Sequence, residues 1–73
     1  MPARLNDVLR AAKALGLSYQ EPKKGSHYKV TKPGCRPYTL PAHNGMRTEL
    51  GDEYIRGLCR SLGIDEDQLR ALL

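Results

Sequence analysis

Apolar residues near both ends of the chain recur at the spacing of an amphipathic helix. In the N-terminal part they are Leu5, Val8, Leu9, Ala12 and Leu15, and towards the C-terminus they are Ile55, Leu58, Cys59 and Leu62. The first set predicts a helix at about residues 4–15, which Gly16 would end. The second set predicts a helix at about residues 52–62. Asp65 is a suitable N-cap for a short final helix at about residues 66–72.

The segments between the two main helices alternate between apolar and polar residues, which predicts strands at about residues 17–21, 26–32 and 36–40. One parity carries the apolar residues Leu17, Tyr19, Tyr28, Val30, Tyr38 and Leu40. The other parity carries the polar residues Ser18, Gln20, His27, Lys29 and Thr39. We therefore predict a three-stranded antiparallel sheet whose apolar face packs on the helices. Residues 1–73 would form a single two-layer α+β domain of order α-β-β-β-α with a short C-terminal helix.

The aromatic, cysteine and histidine residues each have a plain interpretation within this fold. The three tyrosines of the predicted strands could form a base-stacking platform, but their shared parity with Val30 and Leu40 indicates core positions. Cys35 and Cys59 are too few for a disulfide scaffold, so we expect reduced thiols, with Cys59 buried as a small apolar residue. The cysteines and histidines show none of the close pairing typical of zinc sites, so we expect no metal and no other cofactor.

The net charge of +4 is distributed unevenly along the chain. Residues 22–48 contain six lysines and arginines and no acidic residue, whereas residues 49–73 carry a net charge of −3. The basic region suggests a polyanionic partner, and the alternative is an ordinary solvated loop surface. The acidic region is expected to be solvated, or to face a cationic part of a partner protein. Neither a membrane span of ~20 apolar residues nor a signal-peptide pattern is present, so we expect a soluble cytoplasmic protein without a membrane partner.

The basic region contains a histidine whose surroundings suit proton transfer on an anionic substrate. Alternation places His27 and Lys29 together on the open face of the predicted sheet. Because imidazole can give or take a proton near neutral pH, His27 is the candidate catalytic residue, as base or as acid, for metal-independent RNA cleavage. The candidate RNA-binding residues are Lys23, Lys24, Gly25, Ser26 and Lys29. The lysines would contact phosphates, the glycine would let a phosphate approach the backbone, and the serine offers a hydroxyl or an N–H group. The plain alternative for His27 is a surface histidine without a role.

A second histidine, His43, lies between Pro41 and an Asn44-Gly45 turn. We expect it to orient this loop through hydrogen bonds, and a role as the general acid of cleavage makes it a secondary site candidate. The two roles differ in whether its side chain reaches His27.

Four short motifs occur in order along the chain. They are Gly25-Ser26-His27-Tyr28, Tyr38-Thr39-Leu40-Pro41, the loop Pro41-Ala42-His43, and Ile55-Arg56-Gly57-Leu58 before Gly63-Ile64. Together they resemble the HicA family, small toxins of toxin–antitoxin pairs that are also called mRNA interferases. The resemblance covers nearly the whole chain, and the order of the motifs is more specific than Gly-Ser-His alone. It implies a double-stranded-RNA-binding-like (dsRBD-like) fold with His27 as the catalytic residue.

The resemblance further implies ribosome-independent cleavage of mRNA and neutralisation by a HicB-type antitoxin protein that covers His27. Any homo-oligomer is expected only through the antitoxin complex. The chain departs from the family where Tyr28 replaces a second histidine of many members, and where the basic stretch after the loop is thin. Two alternatives stay open: a non-catalytic RNA-binding module of the same fold, and a domain that only contacts other proteins.

Overall fold

The computed structural model describes residues 3–23 and 25–73, which form three α-helices and two antiparallel sheets. The helices are α1 (Leu5–Ala14), α2 (Asp52–Leu62) and α3 (Glu66–Ala71). The strands are β1 (Ala3–Arg4), β2 (Ser18–Gln20), β3 (His27–Thr31), β4 (Tyr38–Pro41) and β5 (Glu49–Leu50). One sheet has the order β2-β3-β4, and the other pairs β1 with β5. The predicted α+β architecture with a three-stranded antiparallel sheet is confirmed.

The ends of the helices follow from local capping. Helix α2 has the predicted bounds and ends at Gly63, whose φ of +66° lies in the left-handed region that favours glycine. Asp65 caps α3 as predicted, because its Oδ1 accepts a hydrogen bond from the N–H of Asp67 at 2.9 Å. This bond satisfies one of the free N–H groups at the start of the helix.

The start of α1 differs from the prediction because the chain enters the helix from a strand. Arg4 belongs to β1, where it pairs with Glu49 of β5, and the helix begins one residue later. The N–H of Leu5 donates a hydrogen bond to the carbonyl of Thr48 at 2.8 Å. Strands of two residues are too short to produce an alternating pattern, so this small sheet could not be predicted.

Strand β4 begins two residues later than the predicted strand at 36–40 and extends to Pro41. Pro37, which has no N–H for the ladder, lies just before the strand, and β4 is at the edge of its sheet. Both features agree with the position expected for this proline. The other two strands of the sheet lie within their predicted ranges.

The core lies between the helices and one face of the three-stranded sheet. The helices contribute Leu5, Val8, Leu9, Ala11, Ala12, Ile55, Leu58, Cys59, Leu62 and Leu69, and further buried residues are Leu17, Val30, Leu40 and Leu50. The three tyrosines of the strands are half-buried against this cluster, as their parity predicts. Lys29 and Thr39 are exposed on the opposite face, so the sheet has one packed face and one open face.

Helix α2 approaches β4 closely at a glycine. A Cβ atom at Gly57 would overlap the hydroxyl of Tyr38 and lie 2.9 Å from its Cζ. Any larger residue at this position would therefore force the helix or the tyrosine to move.

The acidic region is partly neutralised by ion pairs within α3 and between α2 and α3. Arg70 contacts Glu66 of its own helix at 2.8 Å and Asp52 of α2 at 3.3 Å, and Arg56 of α2 lies 3.9 Å from Glu66. These partly exposed pairs contribute modestly to stability. Of the helices described, none is long and apolar enough to cross a membrane.

Candidate functional site

A surface pocket of about 660 Å³ opens where β2 leads into the β2–β3 turn. It is lined by Gln20, Glu21, Pro22, Lys23, His27 and Lys29. Its volume falls within the range of roughly 300–1,000 Å³ that is typical of ligand sites. Three residues predicted from the sequence, His27, Lys23 and Lys29, therefore share one pocket.

The register of the strands brings these side chains together. Gln20 of β2 is opposite Lys29 of β3, and His27 precedes Lys29 by two residues on the same face. Two residues of a strand span about 6.6 Å, so the histidine and the lysine can contact one ligand. On the far side of β3, His27 is opposite Pro41 and Lys29 is opposite Thr39.

The turn between β2 and β3 forms the rim of the pocket. Lys24, a predicted phosphate contact, lies outside the described residues. Gly25 has a φ of +97°, which an L-residue with a side chain rarely adopts. Apart from its chain neighbours, no atom of the described residues lies within 4 Å of where a Cβ of Gly25 would be. The turn conformation therefore requires glycine, and the space around it leaves the backbone accessible to a ligand.

The imidazole of His27 is exposed at the start of β3. Within residues 3–23 and 25–73, no hydrogen bond or ion pair engages this ring. Both ring nitrogens can therefore face a substrate, as proton transfer requires. The preceding residue, Ser26, is half-buried, and its carbonyl accepts a hydrogen bond from the N–H of Ala42 at 2.5 Å. This bond joins the turn to the end of β4 and holds the start of β3 in place.

The lysines of the basic region have different roles. Lys23 and Lys29 are exposed and line the pocket. The Nζ of Lys32 instead donates a hydrogen bond to the carbonyl of Leu62 at 3.0 Å. This carbonyl belongs to the C-terminal end of α2, where the helix dipole favours positive charge. Lys32 thus stabilises the contact between β3 and α2 and does not belong to the pocket.

His43 is exposed in the loop after β4, and it is not among the residues that line the pocket. The loop is organised by the buried Thr48, whose hydroxyl donates to the carbonyl of Gly45 at 2.7 Å. The same hydroxyl accepts a hydrogen bond from the N–H of Asn44 at 3.0 Å. The hydrogen bonds that we predicted for His43 are therefore made by Thr48.

Tyr28 lies on the packed face, although it directly follows His27. Its ring is 6.0 Å from the ring of Tyr19, with an angle of 51° between the planes. The ammonium of Lys13 lies 5.8 Å from the centroid of the Tyr19 ring. Position 28 therefore contributes no side chain to the pocket, and the tyrosines face the helices rather than a nucleic acid on the open face.

Sequence reasoning missed three pocket residues, Gln20, Glu21 and Pro22. The sequence pattern assigns Gln20 to the polar face of the sheet and Glu21 to the end of a strand. The sequence did contain a signal for these residues. In the predicted hairpin, the start of β3 lies next to the end of β2, so residues at the end of β2 lie near His27. His27 is six residues after Glu21, which is a separation that a hairpin turn can bring together.

The residues that could hold a metal are not grouped. Among the residues that the structure describes, no three His, Cys, Asp or Glu side chains are placed to hold a metal ion.

Both cysteines are free, and Cys59 is 4% exposed. Burial raises the pKa of the Cys59 thiol, and the nearby Glu66 raises it further. The prediction that this cysteine is a buried small apolar residue is confirmed.

Comparison with known proteins assigns no family to this chain. No protein-family model matches it, and no curated protein sequence matches it significantly. The resemblance to HicA proteins therefore depends on the motifs of the chain itself.

Proposed function

We propose that this protein is a metal-independent endoribonuclease that cleaves mRNA and uses His27 as a catalytic residue. The observation that supports the proposal is that His27, Lys23 and Lys29 line one surface pocket. Cleavage of RNA without a metal requires proton transfer at the 2′-hydroxyl and at the 5′-oxygen, and cations that stabilise the charged phosphorane. The histidine supplies one proton-transfer group, and the two lysines supply the cations.

The position of this pocket on the molecule also suits a large substrate. His27 and Lys29 lie on the face of the sheet that none of the described helices covers, and both residues are exposed. A single-stranded RNA can therefore reach the imidazole without a change in the core. The exposed lysines would contact phosphates rather than bases, which is the pattern of binding with little sequence preference.

The HicA-like motifs suggest a biological role for this activity. In our proposal the fold is dsRBD-like, and the chain is the toxin of a toxin–antitoxin pair. A HicB-type antitoxin protein would neutralise it by covering His27, and the exposure of this residue is compatible with such a cover. The departure at Tyr28 does not weaken the proposal, since its side chain packs against Tyr19 rather than in the pocket.

A second candidate is RNA binding without cleavage. It is favoured by the composition of the pocket, whose lining contains a single imidazole beside two lysines. Under this alternative, RNA would bind with strong salt dependence through the lysines, and His27 would be one more polar contact.

The two candidates are separated by comparing the two histidines. We expect His27→Ala to abolish cleavage of a long mRNA, with a free energy of unfolding within about 0.5 kcal/mol of wild type because the residue is exposed. His43→Ala is the matched control, since it removes an exposed histidine outside the pocket and should keep cleavage. Wild-type cleavage should persist in EDTA. A fully active His27→Ala protein would exclude His27 as catalyst, and a wild type that binds RNA without cutting it would support the second candidate.

A further inference from the structure

The pocket that His27 lines is also lined by an acidic residue. Glu21 is one of its six lining residues and is the acidic one among them. In-line cleavage of RNA needs two proton transfers, one from the 2′-hydroxyl and one to the 5′-oxygen. A carboxylate and an imidazole in one pocket can perform these two transfers, whereas the lysine side chains bind phosphate oxygens.

The backbone of Glu21 lies where β2 leads into the turn that precedes His27. Glu21 directly follows Gln20, which is opposite Lys29 in the sheet. Pro22 follows, and its ring restricts the backbone of the preceding residue to extended conformations. The backbone at Glu21 is therefore restricted by the β2–β3 pairing before it and by the proline after it.

His43 is the secondary candidate for the second proton-transfer group, but it is not among the residues that line the pocket. The loop that carries it follows β4, which pairs with the edge of β3 opposite to β2, and Glu21 directly follows β2. The pocket lies between β2, the turn and β3, and its lining excludes His43. Of these two candidates, Glu21 is therefore the one that shares a pocket with His27.

We propose that Glu21 is the second catalytic residue of the site and acts as the general base while His27 acts as the general acid. This inference rests on the proposed ribonuclease function. The 2′-oxygen attacks phosphorus and forms the new P–O2′ bond, and its proton passes to the carboxylate of Glu21. The P–O5′ bond breaks, and the imidazolium of His27 gives its proton to the leaving 5′-oxygen. The products are a 2′,3′-cyclic phosphate and a 5′-hydroxyl, and exchange with water restores both groups.

The assignment is tested first with a conservative substitution. Glu21→Gln keeps the shape of the side chain but removes the base, so we expect cleavage to fall by about 10²- to 10⁴-fold. Glu21→Asp keeps a carboxylate and should retain part of the activity. Glu49→Gln is the matched control, because it neutralises an exposed carboxylate outside the pocket. Thermal unfolding of each variant shows that the fold is intact, as expected for an exposed residue.

The roles of base and acid are separated with an RNA whose scissile 5′-oxygen is replaced by sulfur. A thiolate leaves without protonation, so this substrate should restore cleavage by His27→Ala but not by Glu21→Gln. A carboxylate that only positioned the imidazole would give a different result, since Glu21→Gln would then be restored along with His27→Ala. Restoration of Glu21→Gln, alone or together with His27→Ala, overturns the assignment of Glu21 as base.

The cleavage measurements also distinguish a failure of this inference from a failure of the proposed function. If wild type cleaves RNA and Glu21→Gln cleaves equally well, the role of Glu21 is wrong and the ribonuclease proposal stands. If purified wild type cleaves no RNA, the proposed function fails, and the role of Glu21 fails with it.

Discussion

The two faces of the three-stranded sheet are built from the same three strands, yet they serve different purposes. On the packed face, Val30 and Leu40 have no exposed surface. On the open face, the residues next to them in sequence, Lys29 and Thr39, are exposed. Because alternate residues of a strand point to opposite sides, stability and surface chemistry can be changed independently on neighbouring positions. A substitution on one face should therefore leave the property of the other face unchanged.

The two faces can also be compared through two lysines, Lys29 within β3 and Lys32 directly after it. Lys29 lies on the open face and lines the pocket, whereas Lys32 has the parity of the packed face and donates a hydrogen bond to Leu62 at the end of α2. Identical side chains three positions apart are thus a candidate phosphate contact and a structural contact. A count of basic residues in the region cannot show this difference.

The largest effect is expected from Leu40→Ala. Truncating a fully buried leucine removes apolar contacts and leaves a cavity, so the free energy of unfolding should fall by about 2–5 kcal/mol. The matched change on the open face, Thr39→Ala, should alter it by less than about 0.5 kcal/mol. Denaturant titration of the two proteins provides the measurement. A comparable loss in Thr39→Ala would mean that the open face is covered.

The next largest effect is expected where α2 meets the packed face. Gly57→Ala would gain up to about 1 kcal/mol of helix propensity, but the added methyl group overlaps Tyr38, and overpacking costs about 1–3 kcal/mol. We therefore expect a net loss of stability.

The cause of that loss is isolated by a double-mutant cycle with Tyr38→Ala. Once the ring is absent, adding Gly57→Ala should no longer destabilise the protein, because the methyl group then has space. A Gly57→Ala protein that is more stable than wild type would show that the helix and the sheet are not in tight contact here.

A smaller effect on stability is expected at Lys32, and none at Lys29. Lys32→Met keeps the length of the side chain but loses the hydrogen bond to the helix end, which should cost about 1 kcal/mol of stability. Lys29→Met should leave stability within about 0.5 kcal/mol of wild type. If RNA contacts Lys29, the slope of log affinity against log salt should fall by about 0.7 in Lys29→Met and stay unchanged in Lys32→Met. The reverse pattern would exchange the roles of the two residues.

The smallest expected effect is kinetic and concerns the two thiols. Cys35 is half-buried in the β3–β4 turn, whereas Cys59 lies in the core and has a raised pKa. Since the thiolate is the reactive form, a thiol reagent should label Cys35 in the native protein and Cys59 only as the protein unfolds. Mass spectrometry after timed labelling measures both rates. Equal rates at the two cysteines would contradict the burial of Cys59.

The features that depend on local periodicity could be predicted from the amino-acid sequence alone. The helical spacing around Leu58 predicted α2 with its observed bounds, and the alternation around Tyr28 predicted which residues of β3 are exposed. Both patterns arise because each element has one apolar side that must leave water. The exposure of His27 followed from the same rule, so half of the candidate catalytic pair could be found without a structure.

The contacts between residues that are distant in the chain could be learned only from the folded structure. It placed Glu21 in one pocket with His27, it bound Lys32 to the end of α2, and it gave Thr48 the loop contacts that had been expected of His43. A periodic pattern states which side of an element a residue occupies, but not what lies opposite that side. That depends on how the helices and strands pack, and packing is a property of the whole chain.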